Sequence, residues 1–75
     1  MTEKEIIAIY EKKIEIFLGT LNIRKSNSIV NTDKKLNEEN KQFIKQKMLQ
    51  MYANNLDEKL LDIAIDNLLP FLKQY

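Results

Sequence analysis

The sequence contains no cysteine and no histidine. Without cysteine there is no disulfide framework and no thiolate metal site. Without histidine the commonest structural zinc sets are absent as well. The same two absences remove the usual nucleophile–base pairs of covalent catalysis. Glycine and proline occur once each, which excludes a glycine-rich phosphate loop and disfavours turn-rich β architecture. No apolar run approaches the ~18 residues that span a bilayer. The opening MTEKEIIAIYEKK mixes acids and bases from residue 3. It lacks the basic start and unbroken apolar stretch of a signal peptide, so a cytoplasmic location is expected.

What is present is a globular balance: 44% hydrophobic and 31% charged residues in a chain of 75. That length corresponds to one domain. Below roughly 70–80 residues a single core rarely supplies more than about 3–5 kcal/mol. With disulfides and zinc excluded, tight helix packing or association with another chain has to supply the rest.

Thr2 stands three residues before Glu5, the spacing of a capping box, and so marks the start of a first helix. At 100° per residue, Ile6, Ile7, Ile9, Tyr10, Ile14, Phe17, Leu18 and Leu21 share one broad face, with Lys13 among them. Gly19 offers a C-cap, which puts the helix at about 3–18. Residues 20–35, TLNIRKSNSIVNTDKK, hold no period. Their Ser, Thr and Asn side chains compete for the backbone in non-helical forms. Either Leu21, Ile23, Ile29 and Val30 pin this stretch onto the core, or it is mobile. A short strand at Ser28–Asn31 would find no partner in the chain and would have to pair across a dimer.

Asn37 as N-cap, with Glu38 and Glu39 in the first turn, predicts a second helix over 37–53. Its apolar stripe is Ile44, Met48, Met51 and Tyr52, with Phe43, Leu49 and Ala53 at the edges. Asn54 tolerates the left-handed conformation that ends a helix, and Asn55 caps the next one. The third helix, over 56–69, contains LDIAIDNLL; on its wheel apolar residues cover about two-thirds of the circumference and only Glu58, Lys59, Asp62, Asp66 and Lys73 form a polar strip. A helix packed on one neighbour needs an apolar stripe a little over ~100° wide. This one is far wider and calls for contact on two sides: helices one and two on one, and a second copy, another protein or a wrapped 20–35 loop on the other. Pro70 ends the helix and starts a short terminal turn presenting Phe71, Leu72 and Tyr75.

The fold expected is therefore all-α: a small three-helix domain with a long first connection and a Pro-started C-terminal turn, forming a helical-bundle homodimer. The residues expected at its interface are Leu61, Ile65, Leu68, Leu69, Phe71 and Leu72, with Ile65→Asp as the test.

No catalytic residue, cofactor or metal ligand is expected. Asp62 and Asp66 share a helix face, but calcium needs about 6–8 oxygens. DKKLNEEN lacks both the ligand pattern and the glycine of a calcium loop. The charge is uneven. Residues 21–53 hold the basic Arg24, Lys25, Lys34, Lys35, Lys41, Lys45 and Lys47 against three acids, between mildly acidic ends. That middle either faces an acidic partner or neutralises the rest of the fold. Elimination and excess apolar surface together point to a non-catalytic protein–protein interaction module, a small regulator, adaptor or inhibitor. The partner could be the protein itself or another, unidentified protein. The alternative is nucleic-acid binding by a basic patch of Arg24, Lys25, Lys34, Lys35, Lys41 and Lys45, which would depend steeply on salt.

Overall fold

A computed structural model describes residues 1–74; Tyr75 lies outside the described residues, and with it the expectation that it joins the terminal turn. Three helices, α1 (Glu3–Gly19), α2 (Lys34–Met51) and α3 (Glu58–Leu68), are joined by a small antiparallel sheet of β1 (Ile23–Lys25) and β2 (Leu72–Gln74). A 3-10 turn over Leu69–Phe71 leads from α3 into β2. None of the helices is long and apolar enough to cross a membrane.

α1 begins as its sequence indicates. Thr2 Oγ1 accepts from the Glu5 N–H at 3.2 Å, and the Glu5 carboxylate accepts from the Thr2 N–H at 3.4 Å, so both halves of the capping box form. Its end differs from expectation. Gly19 is the last helical residue, Thr20 closes the helix in a right-handed conformation, and the left-handed position falls on Asn22 at φ 61°. The close approach at Gly19 comes from Arg24, whose Nη1 donates to the Gly19 carbonyl at 3.4 Å.

α2 begins three residues earlier than expected. Asp33, not Asn37, is the N-cap, and its carboxylate accepts from the Leu36 N–H at 2.9 Å. Asn37 lies inside the first turn, where its Oδ1 accepts from Asn31 Nδ2 at 2.6 Å. At the other end Asn54 is left-handed, as expected, but Ala53 joins it at φ 52°. α3 is capped by Asp57 rather than Asn55. The Asp57 N–H donates to Tyr10 Oη at 3.0 Å, which ties the start of α3 to the middle of α1.

The all-α expectation needs correction at the sheet. The strand lies at Ile23–Lys25 rather than Ser28–Asn31, and its partner is in the same chain, with Arg24 opposite Lys73. Backbone bonds extend this pairing into the irregular connection. The Ser26 N–H donates to the Phe71 carbonyl at 2.6 Å, and the Pro70 carbonyl accepts from both Val30 and Asn31, at 2.9 and 3.1 Å. The terminal turn after Pro70 thus becomes a 3-10 turn followed by a strand that holds down residues 23–31. Burial of Ile23 adds to this, whereas Leu21, Ile29 and Val30 stay largely exposed.

The core is one cluster. Tyr10, Ile14 and Leu18 of α1 and Ile44 and Met48 of α2 close on Leu60, Leu61, Ala64, Ile65 and Leu68 of α3, with Leu69 below. Leu61 and Ile65 are 0% exposed within a single chain. The broad apolar face of α3 is contacted by α1 and by α2, and the 3-10 turn that follows packs against α2. Lys13, set among apolar positions, lays its stem along α1 and carries its ammonium over the Tyr52 ring, 4.8 Å from the centroid.

Candidate functional site

The residues expected at a two-fold interface are placed by the structure as follows. Leu61, Ile65, Leu68 and Leu69 are buried inside the chain; Phe71 and Leu72 are half-buried, Leu72 against the core. The apolar excess of residues 61–72 is therefore accommodated within one molecule. A charge at position 65 would be driven into the core, so Ile65→Asp reports on folding before it reports on association.

The basic residues divide. Lys41 Nζ lies 3.1 Å from Asp66 Oδ2. Lys45 Nζ is 3.2 Å from Oδ1 and 3.4 Å from Oδ2 of Asp62. Only the Oδ2 contact has hydrogen-bond geometry, so the buried Oδ1 is held by charge alone. These two pairs form a ladder between α2 and α3. Asp62 and Asp66, read from sequence as a solvated strip, are the acidic side of that ladder. Burial pulls the Lys41 ammonium down, but the Asp66 hydrogen bond and the fields of Asp66, Asp62 and Glu38 outweigh it and hold it above its ordinary 10.5. Arg24 rests on the Gly19 carbonyl, and Lys25, Lys34 and Lys35 are exposed. Two of the six residues of the proposed basic patch are thus committed to a structural pairing.

A different feature emerges beside α2. Ile44 and Met48 face the core, but Leu36 and Phe43, on the adjoining face, are 46% and 45% exposed. Together with Val30 of the connection, at 47%, they border a groove of about 580 Å³. Its buried end is formed by Leu18, Ile44 and Leu69. Ile23, Leu72 and Lys73 of the sheet complete the far side, and Asn31 and Asn40 supply its amides. The groove lies between α2 and the connection, which is bonded to the C-terminal turn at Val30 and Asn31 and meets the start of α2 through Asn31 and Asn37.

The polar groups of the groove differ in freedom. Asn31 is fixed: its Nδ2 donates to Asn37, its Oδ1 accepts from the Asp33 N–H at 3.2 Å, and its own N–H is bonded to Pro70. The Asn40 amide, half-buried in the α2 wall, is engaged by no hydrogen bond among the described residues. Among the described residues the groove is lined by Lys73 and by no Asp or Glu side chain. Lys47 stands over the outer ring of Phe43, 5.8 Å from its centroid.

The chain matches no protein-family model, no curated protein and no solved structure. The groove's own chemistry therefore carries the functional reading. Its size falls in the range of ligand-binding clefts, roughly 300–1,000 Å³. An apolar floor with few polar groups suits capture of apolar side chains rather than bond making. Sequence reasoning missed it. Leu36 and Phe43 recur at i, i+7 on α2, offset from the Ile44–Met48 stripe, and this second apolar line is the one signal that pointed there. The far wall joins Ile23 to Leu72, 49 positions apart in sequence, and leaves no local trace.

Proposed function

We propose that the protein is a non-catalytic interaction module, a small regulator, adaptor or inhibitor that works by holding apolar side chains of another protein in the groove between α2 and the sheet. The observation that carries this reading is the continuity of Leu36, Phe43 and Val30, each about half exposed, with a floor of core residues. Contiguous exposed apolar surface next to a cleft is a mark of an interaction site. Nucleic-acid binding is the weaker reading. Lys41 and Lys45, central to the basic patch, already face carboxylates of α3, and phosphates would have to displace those partners.

The test is position-specific photo-crosslinking in cells of the source organism. Phe43 is replaced by p-benzoylphenylalanine, with the same replacement at exposed Lys4 as control. A discrete protein adduct from position 43, absent from position 4, is the expected result. Adducts with nucleic acid, or the same adducts from both positions, count against the reading.

A further inference from the structure

One wall of the groove is held differently from the rest of the molecule. Ile23, Val30 and Asn31 of the connection and Leu72 and Lys73 of β2 form that wall, and none of them belongs to a long helix. These two segments are bonded to each other. β1 pairs with β2, the Ser26 N–H donates to Phe71, and the Val30 and Asn31 N–H groups both donate to the Pro70 carbonyl. A movement of Pro70 therefore releases two amides at once. Their hold on the helices is lighter. Ile23 and Leu72 are only partly buried against the core, while Leu21, Ile29 and Val30 are largely exposed. The side chain of Asn31 adds one bond to Asn37. By contrast Ile14, Met48, Leu61 and Ile65, all at 0% exposure, lie in the three helices. Pro70 has no N–H to give to α3, so at that residue the helix ladder loses nothing when the segment leaves.

Segments with few buried apolar contacts open at lower free energy than the core, and they do so as contiguous cooperative units. We propose, resting on the reading of the groove as an interaction site, that residues 23–31 and 70–74 open together as one unit, with α1, α2 and α3 still packed, and that this opening gates the groove floor. Closed, the unit is the wall of the groove. Open, it uncovers Leu18, Ile44 and Leu69, which are 1%, 3% and 5% exposed in the closed chain, to the apolar side chains of a partner.

The free chain is sufficient for the test. Amide exchange is followed residue by residue by NMR at low denaturant concentrations. The N–H groups of Ser26, Val30, Asn31 and Leu72 are expected to share one opening equilibrium and one denaturant dependence. That opening should be at least about tenfold more populated than the one that frees Leu61 and Ile65 in α3. Ile14→Val, in the helical core, should speed exchange at Leu61 and Ile65 about threefold to tenfold and leave the four amides unchanged, because the core stays packed in the open form. Ile23→Ala should speed all four by a common factor. The chain has no cysteine, so a single introduced thiol reports access to the floor. The Ile44→Cys thiol should react with the shallow denaturant dependence of the four amides, and the Ala64→Cys thiol, on the buried side of α3, with the steep dependence of global unfolding. Exchange of the four amides together with Leu61 and Ile65, or through four unrelated openings, overturns the proposal. So does an Ile44→Cys thiol that reacts only on global unfolding. Absence of a protein adduct from position 43 would remove the interaction reading and leave the opening itself standing.

Discussion

Ala53 holds a left-handed backbone at φ 52°, next to Asn54 at φ 62°. Asn adopts this region readily; alanine does so at a cost, because its Cβ crowds the following carbonyl. Glycine removes the crowding, so Ala53→Gly should raise stability by about 0.5–1 kcal/mol after its own entropic cost is counted. Urea unfolding checks this, and a fall in stability would show that the Ala53 methyl makes contacts worth more than the strain. This residue also shows what a sequence conceals. The Asn54–Asn55 pair announces the end of α2, and Asn54 does close it, but nothing marks alanine as the second left-handed residue. Lys41 gives a prediction of opposite kind. Its folded value lies above the ordinary 10.5, so the folded state binds its proton more tightly than the unfolded chain does. The stabilisation is therefore complete below about 10.5 and is lost as pH rises through the raised folded value. The difference in unfolding free energy between wild type and Lys41→Met should stay constant from pH 7 to pH 9 and shrink above pH ~10.5. A difference that grows at alkaline pH would contradict the pairing with Asp66.

Among the elements, the helices were legible and the sheet was not. The start of α1 rests on a reciprocal bond between residues three apart, which a sequence displays directly. The cap of α2 was placed too late because Asn37 and Asp33 are both good caps. Tertiary contact decides between them, since Asn37 is taken up by Asn31. For α3, Asp57 prevails over Asn55, with its N–H bonded to a tyrosine hydroxyl 47 residues away. The strands are three residues each, too short for a period of two to register. Their pairing joins the segment after α1 to residues 72–74, and it is this pairing that orders the connection. The amides of Val30 and Asn31 share the Pro70 carbonyl. Both should therefore exchange slowly with solvent deuterium although they lie outside regular structure, while Ile29, whose N–H reaches no backbone acceptor among the described residues, exchanges fast. Leu72→Asp places a carboxylate against the core beneath β2 and should release both slow amides while those in the middle of α2 remain protected. Protection of Val30 and Asn31 unchanged in that variant would mean that the connection is held by something other than the C-terminal strand.

At the scale of the molecule, the wide apolar face of α3 is expected to need a second copy, another protein or the 20–35 loop on the side that α1 and α2 leave open. Its cover turns out to come from this chain's own elements. The physical reason lies in the connectivity: α1 and α2 flank α3, and the last residues fold back through the 3-10 turn to meet β1. The radius of gyration, 11.7 Å, agrees with the ~11 Å of a compact single chain of this length. The uneven charge is resolved partly in the same way, since two lysines of the basic middle meet the two aspartates of α3. What remains outside is the half-exposed face of α2 at Leu36 and Phe43. The expected solution mass, by light scattering over a hundredfold concentration range, is therefore that of one chain, 8.9 kDa. Raising salt bears on the same point. If like charges on α2 were all that kept two copies apart, a dimer would form at high ionic strength as protein concentration rises. A mass that stays at one chain throughout shows that the half-exposed face of α2 is not an interface between copies. A stable dimer at low salt would show instead that the helices tolerate their like charges, and the groove would then belong to the second copy.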